Sequence, residues 1–193
     1  MPDPSDLTEA INRGGYQALL DRVLITEEQL SRRIAELGEQ ISRDYAGKTP
    51  LLVCILRGGV MFLADLTKRI AAPHHVDFMA VSSYGIGARA TRGQPRITLD
   101  LNTDIRDRHV LLVEDIIDSG HTIDHVLRLL QTRDPASLRV CALLNKLARR
   151  EVYVPITYLG FEIPDEFVFG YGLDLDEYFR NLPFIGVVRK EYQ

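Results

Sequence analysis

Apolar residues dominate three short runs of the chain, each as long as a β-strand. The runs are LLVCIL at 51–56, VLLV at 110–113 and RVCALL at 139–144. After each of the first two runs, apolar residues recur at helical spacing, at 62–70 and at 123–130. Fully apolar strands that alternate with amphipathic helices are typical of a parallel sheet covered on both faces. The pattern therefore predicts an α/β fold with a central, mostly parallel β-sheet flanked by helices.

One helix is predicted to precede the first apolar run. Thr26 and Gln29 have the spacing of a capping box, in which each side chain accepts a hydrogen bond from the other residue's backbone N–H. Apolar residues then recur at helical spacing from Leu30 to Ile41, and the stretch AGKTP at 46–50 interrupts the pattern. We expect a helix that begins after Thr26 and ends before this stretch.

The segment between the first two runs has a different pattern. Ile97, Leu99 and Leu101 alternate with polar residues, which predicts a half-exposed, antiparallel strand. A glycine- and arginine-rich stretch without periodicity, 82–95, precedes it. Loops of this length in compact domains are usually functional or disordered, so we interpret the stretch as a flexible lid. A plain solvated hairpin loop is the alternative.

Composition narrows the class of protein. The 193 residues are 46% hydrophobic and 26% charged, as in ordinary soluble globular proteins. A net charge of −4 argues against broad electrostatic contact with nucleic acid. The sequence shows neither a secretory signal nor an apolar stretch long enough to span a bilayer. Cys54 and Cys141 lie inside strand-like runs, which favours reduced, buried thiols in a cytoplasmic protein.

Length and pattern together predict a single domain over residues 1–193. Its core covers about 26–150, where the apolar runs and helices alternate. The loosely patterned residues 1–25, with the short aromatic-rich strands of 151–193, are predicted to form a smaller lobe, called the hood below.

Residues that carry chemistry fall at the predicted carboxyl ends of the strands. Arg57 follows the first run, Glu114 and Asp115 follow the second, and Lys146 follows the third. Open parallel sheets bind their ligands outside these ends. We therefore expect the four side chains to surround one site.

The turn after the second run has the composition of an anion-binding site. Asp118 is followed by Ser119, Gly120, His121 and Thr122 at the start of the predicted helix. Helix N-termini bind phosphates through free N–H groups, and a glycine lets the backbone approach the anion. The spacing of a Walker loop is absent. Glu114 and Asp115 upstream suit ribose hydroxyls or Mg²⁺, although a helix cap with two solvated acids remains the alternative.

The stretch VLLVEDIIDSGHT resembles the phosphoribosyl-pyrophosphate signature of the type I phosphoribosyltransferases. The rest of the chain is similar to the hypoxanthine-guanine branch of that family, from about the first helix almost to the C-terminus. The resemblance implies the type I phosphoribosyltransferase fold with a hood and a lid. It also implies a reaction in which a 6-oxopurine attacks C1′ of phosphoribosyl pyrophosphate, giving IMP or GMP and pyrophosphate.

The family also implies roles for the residues of the signature. Glu114 and Asp115 would hold the ribose hydroxyls directly or through Mg²⁺, and the backbone from Asp118 to Thr122 would hold the 5-phosphate. Asp118 would lie near purine N7 as the general base or proton acceptor. A carboxylate held beside a ring N–H can take the proton as the ring nitrogen forms its new bond.

Two further motifs carry the resemblance on the phosphate side. Leu56-Arg57-Gly58-Gly59 resembles the family's pyrophosphate loop, in which a peptide bond before the first glycine is often cis. Arg57 stands where many members have lysine, so a planar fork replaces a point charge. Ser83-Tyr84-Gly85 resembles the start of the catalytic lid. Without the family, Arg57 is a solvated turn residue and Tyr84 a hairpin aromatic.

The purine side rests on a lysine and on the segment FEIPDEFVFGYGLD at 161–174. In this family Lys146 would donate to the 6-oxygen of the base, Phe167 would stack on the ring, and Val168 would offer backbone contacts to its edge. Asp174 would lie near the base and the pyrophosphate–Mg²⁺, which makes it a third candidate metal residue beside Glu114 and Asp115. Arg180 would contact pyrophosphate. Read without the family, these are ordinary core, strand-end or turn residues.

The sequence as a whole is therefore interpreted as a Mg²⁺-dependent 6-oxopurine phosphoribosyltransferase of purine salvage. A homodimer or homotetramer is expected from the resemblance. Two alternatives stay open, namely a xanthine-preferring relative and a regulator that senses nucleotides on the same fold. His121 and His125 have the spacing of two zinc ligands, but no third ligand is evident, so no zinc site is expected.

Overall fold

Six strands form the central sheet of the structure, a computed structural model that describes residues 4–82 and 96–193. The order across the sheet is β4-β3-β2-β5-β6-β7. Neighbours pair in parallel except β4, which is antiparallel to β3. The strands are β2 (Leu51–Leu56), β3 (His75–Ser82), β4 (Arg96–Leu99), β5 (His109–Ile117), β6 (Ser137–Asn145) and β7 (Tyr158–Glu162).

Alternate residues of the apolar runs enter two different cores, one on each face of the sheet. In β2, Leu52 and Cys54 pack with α3 (Glu27–Asp44) and α4 (Val60–Thr67). Leu51, Val53 and Ile55 pack on the opposite face with α5 (His121–Gln131). Because both faces are covered, every position of such a strand must be apolar. The predicted α/β sheet is confirmed, and both cysteines are buried and unpaired.

The helix before β2 begins as predicted. Thr26 Oγ1 accepts a hydrogen bond from Gln29 N–H at 3.3 Å, and Gln29 Oε1 accepts one from Thr26 N–H at 2.8 Å. The half-exposed antiparallel strand is also present as β4, although it ends at Leu99. The predicted lid lies outside the described residues, apart from Ser82, which ends β3.

A second sheet of three antiparallel strands joins the two ends of the chain. Its order is β1-β9-β8, with β1 at Leu20–Ile25, β8 at Val168–Phe169 and β9 at Ile185–Val188. Two helices, α1 (Pro4–Gly14) and α2 (Tyr16–Leu19), precede β1. The loosely patterned N-terminus therefore has regular structure that its sequence did not predict.

One strand differs from the predicted division into core and hood. β7 falls within the segment 151–193 that was predicted to belong to the hood, yet it pairs in parallel with β6 and extends the central sheet. Residues 158–162 form a half-buried edge strand of the central sheet. The other two strands of the segment 151–193, β8 and β9, belong to the second sheet. Among the described residues, no helix is long and apolar enough to cross a membrane.

Candidate active site

A cavity of about 420 Å³ opens at the carboxyl ends of β2 and β5. Of the predicted site residues, His121, Lys146, Phe167 and Val168 are not part of its lining. Ser83 and Tyr84 lie outside the described residues. The other ten predicted residues line the cavity: Arg57, Gly58, Glu114, Asp115, Asp118, Ser119, Gly120, Thr122, Asp174 and Arg180.

The two acids of the signature lie inside β5 and not beyond its end, which corrects the sequence analysis. Glu114 pairs with Ala142 of β6, and the ladder continues to Ile117 opposite Asn145. Pairing persists because ladder hydrogen bonds use backbone groups, so a charged side chain does not end a strand. The consequence is that Glu114 lines the cavity although it is only 8% exposed.

Burial shapes the electrostatics of this pair. Burial, together with the neighbouring charge of Asp115, holds the pKa of Glu114 well above its usual range. Burial also raises the pKa of Asp115 to about 6, although the Ile116 N–H at 2.8 Å and the charge of Arg180 oppose the shift. Oε2 of Glu114 has no hydrogen-bond partner among the described residues. The pair is thus poorly compensated without a ligand that brings donors or positive charge.

These oxygens suit Mg²⁺, which prefers carboxylates and keeps waters and substrate phosphates in its shell. Asp174 lines the same cavity as Glu114 and Asp115. Across the described ranges, however, no three acidic, histidine or cysteine side chains are grouped closely enough to hold a metal ion by themselves. A cation here would therefore need oxygen ligands from its substrate or from water.

The loop after β2 packs against the acids without any side chain between them. A Cβ added to Gly58 would lie 1.6 Å from Oδ2 of Asp115, so only glycine fits. On its other side, a Cβ added to Gly172, at φ +97°, would lie 2.1 Å from the Gly58 carbonyl oxygen. The peptide bond between Leu56 and Arg57 is cis, as the resemblance implied for this loop.

The N-terminus of α5 faces the cavity, as predicted for a phosphate site. Gly120 occupies the N-cap position at φ 94°, and no side chain caps the helix. The Ser119 carbonyl oxygen accepts hydrogen bonds from the N–H groups of Glu151 (2.9 Å) and Val152 (3.0 Å), which fixes the turn. An anion at this end would satisfy free N–H groups and meet the positive end of the helix dipole. The side chain of His121 instead contacts Glu151 at 2.8 Å.

The two carboxylate oxygens of Asp118 have different surroundings. Its Oδ1 is buried and has no partner within the described part of the chain, while Oδ2 lies 3.5 Å from the guanidinium of Arg149. The same Arg149 lies 3.3 Å from Asp165 in the segment before Phe167. Arg149 thereby connects the signature turn with the predicted purine segment.

Arg150 holds the backbone of the signature turn. Its Nε donates to the Asp118 carbonyl oxygen at 3.1 Å, and its Nη2 donates to that of Ile117 at 3.3 Å and to Oδ1 of Asn145. Desolvation lowers the pKa of this half-buried guanidinium, and the charge of Asp118 opposes the shift. Neither Arg149 nor Arg150 was predicted to belong to the site. The available signal in the sequence was a basic pair four and five residues beyond the end of β6.

The predicted purine residues lie at the margin of this site. Lys146 directly follows β6, is buried, and donates its backbone N–H to the Ile117 carbonyl oxygen at 3.0 Å. Val168 is buried in β8, whereas Phe167 is 46% exposed. The structure therefore places Lys146 beside the signature turn and leaves Phe167 accessible to solvent.

An ion-pair network that the sequence did not predict connects both cavity arginines. Arg57 donates to Oε1 of Glu177 at 2.7 Å, and Arg180 lies 3.4 Å from Oε2 of the same carboxylate. Arg180 also contacts Oδ1 of Asp174 at 2.7 Å and donates to the Gly172 carbonyl oxygen at 2.8 Å. Glu177 is 120 residues from Arg57 along the chain, so no local pattern could reveal the contact.

The family model of the phosphoribosyl transferase domain matches residues 24–176, which include the sheet, the signature turn and the pyrophosphate loop. The chain belongs to this family. Hypoxanthine phosphoribosyltransferase from Salmonella typhimurium is 51% identical over 168 residues, covering 86% of this chain and 94% of that protein. Hypoxanthine-guanine phosphoribosyltransferase from Mycobacterium avium is 48% identical over 179 residues, covering 90% and 88%.

Solved structures agree with the assignment. The crystal structure of a hypoxanthine phosphoribosyltransferase from Staphylococcus aureus matches with a TM-score of 0.87 and 43% identity, covering 93% of this chain and 97% of that one. The type I phosphoribosyltransferase fold and the resemblance to the hypoxanthine-guanine branch are confirmed. The chain is an enzyme of the pentosyltransferase class, which counts against the alternative of a regulator without activity.

Proposed function

We propose that the protein transfers the 5-phosphoribosyl group of phosphoribosyl pyrophosphate to hypoxanthine, guanine or both, giving IMP or GMP and pyrophosphate. The observation that carries the proposal is the distribution of charge around one cavity. Anion-binding groups from the N-terminus of α5 and from Arg57 and Arg180 surround it, together with the buried acids of β5. Phosphoribosyl pyrophosphate is a ribose with phosphates at two positions, which matches two separate anion sites beside acids for its hydroxyls.

The proposed chemistry uses few groups. A ring nitrogen of the purine bonds to C1′ of the ribose while the bond from C1′ to the pyrophosphate oxygen breaks, and that electron pair leaves with pyrophosphate. The ring proton passes to the free oxygen of Asp118. Arg57 and Arg180 would stabilise the charge that develops on the leaving group, and the carboxylates of β5 would favour the positive charge on the ribose ring.

Mg²⁺ is the cofactor that the family generally uses with phosphoribosyl pyrophosphate. The residues fit this ion, since Glu114 has an unpartnered buried oxygen and Asp115 and Asp174 line the same cavity. We propose that these three carboxylates hold it, directly or through water, with substrate oxygens completing its ligands. Bound there, the ion supplies neutralisation of phosphate charge.

Selection of the base would depend on Lys146, Phe167 and Val168. An ammonium donor accepts a 6-oxo group and disfavours a 6-amino group, because the latter leaves the buried donor unpaired. The burial of Lys146 makes that penalty larger, and the exposed ring of Phe167 is available to stack on the base. The names of the curated relatives, hypoxanthine and hypoxanthine-guanine phosphoribosyltransferases, support the same substrate class.

Several finer properties are proposed on narrower grounds. Unpaired buried cysteines suit a reducing compartment, so we place the enzyme in the cytoplasm. The division into a core at about 26–150 and a hood from the two chain ends, with the central-sheet strand β7 excepted, is retained as a proposal. The lid that contains Ser83 and Tyr84 is also a proposal. The assembly as a homodimer or homotetramer is proposed as well, and sedimentation analysis would measure it.

The decisive experiment is a transfer assay with hypoxanthine, guanine, xanthine and adenine in the presence of Mg²⁺ and phosphoribosyl pyrophosphate. We expect turnover with hypoxanthine or guanine and none above background with adenine. Preferential turnover of xanthine would establish the alternative specificity instead. Absence of turnover with all four bases would overturn the proposed function.

A further inference from the structure

The carboxylate of Glu177 contacts both arginines that line the cavity. Its Oε1 accepts a hydrogen bond from Arg57 at 2.7 Å, and its Oε2 lies 3.4 Å from the guanidinium of Arg180. Two guanidinium groups that converge on one carboxylate form an anion site, and here that site is filled by an anion from the chain itself.

The backbone holds Glu177 at this position. Its N–H donates to Oδ2 of Asp174 at 2.9 Å, and its φ is 71°, in the left-handed region. Asp176 and Phe179 on either side also have positive φ, at 50° and 68°. Non-glycine residues adopt this region rarely and at a cost, so the loop is an unusual conformation that the surrounding contacts maintain. The conformation of the loop backbone therefore places Glu177 beside the two arginines.

Arg180 does not need Glu177 in order to be oriented. Its Nη1 donates to the Gly172 carbonyl oxygen at 2.8 Å, and its Nη2 lies closer to Asp174 (2.7 Å) than to Glu177 (3.4 Å). Arg57 differs, because Glu177 is its side-chain partner among the described residues. The side chains of Arg57 and Glu177 are 69% and 58% exposed, so their pair is weak and easily displaced.

We propose that Glu177 is a built-in competitor of the pyrophosphate group. In the free protein its carboxylate occupies donors of Arg57 and Arg180, and the incoming pyrophosphate must displace it. Glu177 thereby weakens binding of phosphoribosyl pyrophosphate and of the pyrophosphate product. This inference rests on the proposed function, which assigns the two arginines to the leaving group.

The competing explanation has the opposite sign, which makes the question testable. If Glu177 served mainly to hold Arg57 ready for the ligand, its removal would weaken pyrophosphate binding through loss of preorganisation. If it competes, its removal tightens binding. Arg57 is exposed and Arg180 is partly buried, and for two such weak ion pairs the expected change is about three- to tenfold in Kd.

The test measures binding directly and separately from catalysis. Glu177→Gln removes the charge and keeps the shape. Glu39→Gln makes the same change at another exposed position, on α3, where Glu39 lies 3.9 Å from Arg43. Calorimetric titration with inorganic pyrophosphate and Mg²⁺ would give Kd for each variant. Ribose 5-phosphate serves as a control ligand, since it would bind the N-terminus of α5 and not the arginines.

We expect Glu177→Gln to bind pyrophosphate about three- to tenfold more tightly than both the parent protein and Glu39→Gln, with ribose 5-phosphate unchanged. Unchanged or weaker pyrophosphate binding would overturn the inference. Equal tightening in Glu39→Gln would also overturn it, because the effect would then come from net charge. Transfer activity of the parent protein is measured in parallel, so failure of the proposed function is recognised independently.

A second variant separates contact from charge. Glu177→Asp keeps the charge but shortens the side chain by one methylene, which moves the carboxylate away from Arg57. We expect pyrophosphate affinity between those of the parent and Glu177→Gln. A Glu177→Asp protein with parental affinity, beside a tighter Glu177→Gln, would show that long-range repulsion and not the contact is responsible, and would refute the competitor role.

Discussion

Substituting Gly58 by alanine tests whether the close packing of the pyrophosphate loop on the signature acids matters for catalysis. A Cβ at this position would lie 1.6 Å from Oδ2 and 2.7 Å from Cγ of Asp115, where ordinary contacts are 3.4–4 Å. The carboxylate or the loop must therefore move by about 2 Å. Asp115 is half-buried inside β5 and Gly58 faces the Gly172 backbone on its other side, so neither can move freely.

The displacement sets the expected magnitude. Misplacing reacting groups by about 1 Å can reduce turnover about 100-fold, so Gly58→Ala should lower kcat/KM by at least about 100-fold. Overpacking should cost about 1–3 kcal/mol in the free energy of unfolding. Steady-state kinetics of nucleotide formation and urea denaturation measure the two quantities on the same preparation.

Gly47 supplies the control. Its φ is +73° and a Cβ would meet nothing within 4 Å, so Gly47→Ala strains the backbone without touching the cavity. We expect Gly47→Ala to lose about 1 kcal/mol of stability and to keep parental kcat/KM. If Gly58→Ala retained activity within about threefold of the parent, the geometric argument for this loop would be refuted.

Three further substitutions follow from the structure. Asp118→Asn should lower kcat by about 100-fold or more while phosphoribosyl-pyrophosphate binding changes little, because proton transfer requires the free carboxylate oxygen; an unchanged kcat would exclude the role. Lys146→Ala should raise KM for the purine and leave that for phosphoribosyl pyrophosphate nearly unchanged, and the reverse pattern would show that Lys146 is misassigned. Burial alone would raise the pKa of Asp77, but hydrogen bonds from Thr103 and from the backbone, including Asn102 N–H at 3.0 Å, lower it overall. A pKa that is lower in the folded than in the unfolded protein stabilises the fold above the unfolded-state pKa of about 4, and this stabilisation is lost as the pH falls through the folded-state pKa. Asp77→Asn should therefore cost about 1–3 kcal/mol in the free energy of unfolding at pH 7, and less at pH 3, as measured by urea denaturation. A cost that does not depend on pH would contradict this.

Three strands of the central sheet, β2, β5 and β6, were predictable because they are largely buried on both faces, and such burial makes a run of consecutive residues apolar. β2 occupies the run 51–56 without a shift. β5 was underestimated because the prediction stopped at the first charged residue, whereas strand pairing depends on the backbone and continues to Ile117. The N-terminal helices α1 and α2 were missed because their apolar residues face a small core assembled from distant segments, to which β1 contributes Leu20.

The candidate site, like the fold, has a part that the sequence could predict and a part that it could not. The signature turn is contiguous in sequence, so Ser119, Gly120 and Thr122 alone could predict that a helix N-terminus faces the cavity. Contacts that join distant segments, such as Arg57 with Glu177, have no local pattern and appear only when the fold brings them together. Arg150 was only partly predictable. It lies close in sequence to Lys146, but it donates hydrogen bonds to backbone carbonyl oxygens about 30 residues earlier.

The arrangement of the second sheet has a consequence for the order in which the enzyme is made. β9 is its middle strand and pairs with β1 near the N-terminus and with β8 beside Phe167. During synthesis the central sheet can form once β7 has left the ribosome. In the second sheet, however, β1 and β8 have no partner strand until Ile185–Val188 of β9 emerge. A nascent chain arrested before β9 should therefore carry the folded central sheet without the second sheet, and catalysis should begin only when that strand is released.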